Sequence, residues 1–234
     1  MQLFYSPDIK PNNTQYSFSK EESKHIIRVL RKKENDVLNI TDGKGYLYEV
    51  TISIADQKNC IVNINNVKKV DAQNYKLHIA IAPTKMNDRM EWFLEKATEI
   101  GIHEITPIIC DNSERKIIKK ERLEKIIHSA MKQSLQMHLP ILNDSTSFKE
   151  FMQQKLSGQL FIAHCEEGNK KTLQESINKA TEYTILIGPE GDFSTKEIKN
   201  AISNGYIPVS LGNTRLRTET AGIVACHTVA LHNN

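Results

Sequence analysis

Hydrophobic and polar positions along this chain follow two rhythms, and one gives way to the other near residue 72. In the first part the apolar residues come in short runs. Val37-Leu38-Asn39-Ile40 and the run 46–52 flank Asp42-Gly43-Lys44-Gly45, a hairpin signal, and residues 60–64 predict a further strand. Ser19-Lys20-Glu21-Glu22 is a capping box ahead of an apolar stripe at Ile26, Val29 and Leu30, which predicts one helix over about 20–30. Short strands with a single helix imply a small closed or half-closed β barrel over residues 1–72.

After the polar stretch 68–74 the chain alternates. Strands are expected over 77–82, 105–109, 160–163, 183–187 and 207–211. Between them the helical period predicts 87–101, with Met90, Phe93, Leu94, Ala97 and Ile100 on one face and Gly101 as the stop. Further helices are expected over about 119–137, 147–156 and 172–181, from the Ser194 capping box onward, and from Thr218 or Thr220 to Leu231. Strands alternating with helices make residues 73–234 an α/β domain with a mostly parallel sheet and helices on both faces.

Composition narrows the class. Hydrophobic residues at 39% and charged residues at 25% of 234 belong to a globular protein, and no apolar run approaches the length of a membrane span. The N-terminal residues lack the pattern of a signal peptide, so a cytoplasmic protein is expected. Cys60, Cys110, Cys165 and Cys226 match neither a redox pair nor a zinc spacing, and no HExxH occurs, so no metal is expected. The net charge of +3 does not by itself identify a nucleic-acid binder. Its distribution is more informative: Arg28, Arg31, Lys32 and Lys33 cluster in the first part, and a second basic run begins at Arg115, diluted by Glu114, Glu121 and Glu124.

Rossmann, Walker and nucleophile-elbow motifs are all missing. Two glycine loops remain. The run 185–187 is a buried strand that stops at Gly188-Pro189-Glu190-Gly191, before the capped helix at Ser194. The second loop, Leu211-Gly212-Asn213-Thr214-Arg215-Leu216-Arg217, likewise separates a strand from a helix. Both belong at the carboxyl edge of a parallel sheet, where open α/β folds bind small molecules.

Several segments together carry a resemblance. Lys85 with Arg89, Lys96-Ala97-Thr98-Glu99-Ile100-Gly101, Gln133-Ser134, the 187–191 loop with Phe193-Ser194, and Leu211-Gly212 with Leu216 through Ala221 resemble the motif series of the RsmE family. Lys24-His25-Ile26-Ile27-Arg28-Val29-Leu30-Arg31 is similar to that family's N-terminal signature, so the match spans both parts. The family consists of SPOUT-class methyltransferases acting on N3 of a uridine in small-subunit rRNA. The resemblance implies a PUA-like barrel for RNA contact at 1–72, then a trefoil-knotted domain at 73–234 that binds S-adenosylmethionine (SAM) and forms a homodimer. The expected partners are small-subunit rRNA or the assembled 30S subunit. A SPOUT enzyme with another target, such as a tRNA ribose 2′-oxygen, and a non-catalytic assembly factor are the alternatives.

Carried over by position, Ile187, Gly188, Pro189, Glu190, Gly191, Leu211, Gly212, Leu216, Thr218, Thr220 and Ala221 form the cofactor pocket, with Glu190 either on a ribose hydroxyl or holding its loop. Arg217 and Glu219 are the catalytic candidates. A guanidinium can stabilise the uracil anion that remains when the N3 proton leaves, unless Arg217 only bridges to Glu219. Glu219 either accepts that proton or orients Arg217. Arg28, Arg31, Lys85, Arg89, Lys132 and Arg215 are expected at RNA. The chain departs from the family pattern at Gln136, at Asn213-Thr214, at Glu95 and at Asp192, where arginine, Pro-Arg, glutamine and glycine are usual.

Overall fold

In a computed structural model, which describes residues 2–179 and 181–233, the chain divides into two compact units. The first takes in the chain up to Ala72 together with Met131–Leu139; the second comprises Gln73–Ala130 and the chain from Pro140 onward.

The first unit is a five-stranded sheet of order β1-β3-β4-β5-β2, formed by β1 (Leu3–Tyr5), β2 (Gln15–Ser17), β3 (Val37–Thr41), β4 (Tyr46–Ile54) and β5 (Ile61–Lys69). β3, β4 and β5 form an antiparallel meander, and β1 adds to β3 in parallel. Ile26, Ile40, Tyr48, Val50 and Val62 fill its core at 0% exposure, so one face of the sheet is fully covered. Only part of the expected 20–30 helix is α-helical. After α1 (Lys20–Lys24), residues His25–Val29 form a π turn, in which Leu30 N–H donates to the His25 carbonyl at 3.0 Å. The wider turn rotates Val29 out of the expected apolar stripe to 65% exposure, while Ile26 stays buried. Arg31 ends the segment in the left-handed region at φ 56°.

Met131–Leu139 clusters with this first unit rather than with the α/β domain in which sequence periodicity places it. Gly45 N–H donates to the Met137 carbonyl at 2.9 Å, and Leu139 N–H to the Gly43 carbonyl at 2.9 Å. The helix expected to reach residue 137 ends at Gln133, because Leu135 turns left-handed at φ 57°.

In the second unit β6 (Lys76–Ile81), α2 (Asn87–Ile100), β7 (Glu104–Ile109), α3 (Lys120–Gln133), β8 (Ile141–Leu142), β9 (Thr146–Ser147), α4 (Phe148–Phe151) and β10 (Gln159–Ala163) follow in order. They are succeeded by α5 (Leu173–Ser176), β11 (Glu182–Ile187), α6 (Thr195–Ser203), β12 (Ile207–Val209) and α7 (Thr218–Asn233). The sheet has the order β12-β10-β11-β6-β7-β8, with every pair parallel. β6 and β11 are buried along nearly their whole length, which accounts for their unbroken apolar runs. α7 packs on α2 and β6 through Gly222: a Cβ there would come within 2.6 Å of the Phe93 ring. Capping boxes form at Ser147, at Thr172 and, as expected, at Ser194. The first two start helices of four residues only, shorter than expected, and position 180 of the expected 172–181 helix lies outside the described residues.

Among the described residues no helix is long and apolar enough to cross a membrane.

Candidate active site

Parallel strands deliver their following loops to one edge of a sheet, and here that edge gathers the candidate residues. β11 ends at Ile187 and opens into the Gly188-Pro189-Glu190-Gly191 turn. β10, beside it, is followed by the loop 164–171, β12 by 210–217, and β6 by 82–86.

Hydrogen bonds tie these loops together. The buried Thr218, first residue of α7, donates its hydroxyl to the Gly188 carbonyl at 3.1 Å, joining the two glycine loops. Glu190 Oε1 accepts the Lys85 N–H at 2.9 Å, so this carboxylate holds the turn to the loop after β6. Asn112 donates its side-chain amide to the carbonyls of Gly191 at 3.2 Å and Asp192 at 3.1 Å. That closeness explains the glycine: a Cβ on Gly191 would stand 3.1 Å from the Asn112 Cβ.

Two cavities open between the loops. One, of about 500 Å³, is lined by Ala163, His164, Cys165, Lys170, Val209, Leu211, Gly212, Leu216 and Ala221 among others. The other, of about 300 Å³, is lined by Ile187, Gly188, Pro189, Glu190, Asp192, Arg217 and Thr218, and shares Ala163, Cys165, Arg215, Leu216 and Ala221 with the first. Both volumes suit a nucleoside-sized ligand. The walls fit an adenosyl group as well: Val209, Leu211 and Leu216 are apolar, and a Cβ on Gly212 would meet nothing within 4 Å, so the space before its backbone is open.

Of the expected cofactor residues, Ile187, Gly188, Pro189, Glu190, Leu211, Gly212, Leu216, Thr218 and Ala221 line one cavity or the other. Gly191 and the half-buried Thr220 line neither. Arg217 lines the smaller cavity, is exposed, and makes no ion pair among the described residues. Glu219 faces elsewhere. Its side chain is only 6% exposed, and its Oε1 lies 3.7 Å from Nε of Arg89 on α2. The bridge between Arg217 and Glu219 is therefore not formed, and Glu219 Oε2 is buried without a hydrogen-bond partner among the described residues.

The residues expected at RNA divide in the same way. Lys85 is paired with Glu114 at 2.8 Å, Arg89 with Glu219, and Lys132 with Glu22 at 4.0 Å. Arg28 and Arg31 in the first unit and Arg215 in the second are exposed.

One wall was not anticipated from sequence: the loop after β10. Its signal was the strand 160–163 itself, whose carboxyl end had to fall on the same edge as the two glycine loops. In this loop Lys170 donates to the carbonyls of His164 at 2.7 Å and Glu166 at 2.5 Å, and to His164 Nδ1 at 3.2 Å. Burial lowers the pKa of both, and the Lys170 charge lowers that of His164 further.

Residues 71–230 match the RNA methyltransferase domain family, and residues 18–65 match the RNA methyltransferase PUA domain. Solved structures agree with this. A probable rRNA-methyltransferase from Porphyromonas gingivalis is 40% identical with a TM-score of 0.92, covering 100% of this chain and 98% of that one. A Legionella pneumophila protein described as a methyltransferase, solved in complex with the cofactor SAM, is 29% identical with a TM-score of 0.87, covering 97% and 96%. Ribosomal RNA small subunit methyltransferase E from Buchnera aphidicola subsp. Schizaphis graminum is 30% identical over 91% of this chain and 89% of its own length. The enzyme of that name from Bacillus subtilis is 27% identical over 92% and 89%. A parallel sheet with a cofactor-sized cleft at its carboxyl edge, a PUA-like first unit and relatives of one description along nearly the full length place this chain in the ribosomal RNA small subunit methyltransferase E family of SPOUT-class enzymes.

Proposed function

We propose that this chain is a SAM-dependent methyltransferase of small-subunit (16S) rRNA and that the atom it methylates is N3 of a uridine. The observation that carries the reading is the edge itself. Two glycine loops locked by the Thr218–Gly188 hydrogen bond enclose adjoining cavities, and Arg217, which has no ion pair among the described residues, stands at the margin of the smaller one.

When bound, SAM supplies an electrophilic methyl group on a cationic sulfur. Ile187 to Glu190, Leu211, Gly212, Leu216 and Ala221 would hold it, the leucines against the adenine ring and the loop backbone at the ribose. Methylation breaks the methyl–sulfur bond, forms the methyl–N3 bond and releases the N3 proton to solvent. Losing that proton leaves negative charge on the uracil O2 and O4, and Arg217 is placed to donate to those oxygens. Because Arg89 rather than Arg217 engages Glu219, we read Glu219 as a positioning residue at the start of α7. Arg28 and Arg31 are read as phosphate contacts from the first unit.

The subunit reading rests on α7. It is apolar around most of its circumference, with Leu231 at 65% exposure, as expected of a helix that meets a second copy of the chain. Light scattering should then give twice the chain mass of 26.7 kDa.

The function is tested by incubating the protein with methyl-labelled SAM and either small subunits or tRNA. Label in small-subunit rRNA alone is expected. Label in tRNA would favour a different SPOUT target, and SAM binding without transfer would favour an assembly factor.

A further inference from the structure

Position 192 follows the glycine turn and adopts the left-handed conformation at φ 62°, yet it carries an aspartate. A side chain here disfavours the backbone that glycine would adopt without strain. The carboxylate compensates by bonding in two directions. Its Oδ1 accepts the Phe193 N–H at 2.8 Å, bracing its own turn, and its Oδ2 accepts the Cys165 N–H at 2.7 Å, on the loop after the neighbouring strand β10.

That second bond joins two walls of the cofactor cleft. Cys165 lines both cavities and Asp192 lines the smaller. The segment 165–168 is exposed throughout and buries no apolar side chain, so packing does not hold it. Polar ties do: the Asp192 carboxylate on Cys165, the Thr195 hydroxyl on Glu166 Oε1 at 2.5 Å, and the Lys170 ammonium on the His164 and Glu166 carbonyls. Among these ties of the described residues, only that of Asp192 joins a residue lining the smaller cavity to one, Cys165, that lines both.

We propose that Asp192 is a positioning residue, a carboxylate clip that fixes the loop after β10 as a wall of the cofactor cleft and thereby sets affinity for SAM. The proposal rests on the SAM-dependent function above. Both bonds are charge-assisted, and so stronger than bonds between neutral groups.

Asp192→Gly removes the clip while suiting the left-handed backbone, so the variant retains the fold. Isothermal titration with SAM should show a Kd raised about 10-fold, with Asp192→Asn between it and the wild type because one acceptor oxygen remains. In the ligand-free proteins, hydrogen exchange should show the Cys165 amide about 10-fold less protected in Asp192→Gly, with the β6 and β11 amides unchanged. A Kd within about twofold of wild type, or an unchanged Cys165 exchange rate, would overturn the proposal. Failure of the wild-type protein to bind SAM would instead refute the proposed function, and the exchange comparison, which needs no ligand, would still decide whether the clip exists.

Discussion

Arg217 and Glu219 are separated by a single residue, yet one is exposed at a cavity and the other is buried against α2. The divergence follows from where α7 begins. Thr218 is its first residue, so Arg217 belongs to the incoming loop and Glu219 to the first turn, beneath which Arg89 lies. If Arg217 stabilises the uracil anion, Arg217→Ala should keep SAM affinity within a few-fold and lower turnover by about 100-fold, as for loss of one charge-stabilising donor. Single-turnover methylation at saturating SAM measures this, and turnover equal to wild type would remove Arg217 from the chemistry. Thr218→Val keeps shape but leaves the Gly188 carbonyl without its donor. It should cost about 1 kcal/mol in urea unfolding and weaken SAM binding. At this scale the sequence was partly legible. Leucine and glycine positions in the second loop declared a pocket, whereas the partner of Glu219 did not show itself, since Arg89 lies on a helix far away in the chain. For Glu190 the fold adds the Lys85 amide on Oε1, which holds its loop while the residue also lines the smaller cavity.

Elements with strong periodicity and capping signals form where local physics puts them. α2 starts at Asn87 and stops at Gly101, whose φ of 104° is a left-handed C-cap, and α6 follows the Ser194 box. The Ser194 hydroxyl also donates to Asp111 Oδ2 at 2.7 Å, so Ser194→Ala should destabilise by roughly 1–2 kcal/mol, measurable in chemical unfolding. Less legible were elements shaped by what they meet. The π turn at His25–Val29 gives no periodic signature of its own, and β1, β2 and β9 are too short for alternation to show. α7 is apolar around most of its circumference, so its contact face could not be read from a stripe; Gly222 marks it instead. Gly222→Ala would press a methyl group into Phe93 and Ile81, and a loss of about 1–3 kcal/mol in unfolding free energy is expected. Wild-type stability in that variant would mean that α7 does not press on α2 as described.

For the molecule as a whole, the change of rhythm near residue 72 separated a β-rich unit from an α/β unit, but it concealed the return of Met131–Leu139 to the first. That segment is short and bonds largely through its backbone, to Gly43 and Gly45, and such pairing leaves no hydrophobic pattern. The division between units predicts a division of labour. Replacing Arg28 and Arg31 together by alanine should weaken RNA binding and flatten its salt dependence by roughly two units of slope, while SAM affinity stays as in wild type, since both cavities lie in the second unit. A fall in SAM affinity would contradict that division.

Nucleoside mass spectrometry reads the identity of the methylated atom directly. Small subunits from cells lacking this protein are incubated with it and methyl-labelled SAM, and their rRNA is digested to nucleosides. Label is expected in N3-methyluridine from 16S rRNA, formed about 100-fold more slowly with Arg217→Ala under the same conditions. Label on a ribose 2′-oxygen or on any other base would contradict it.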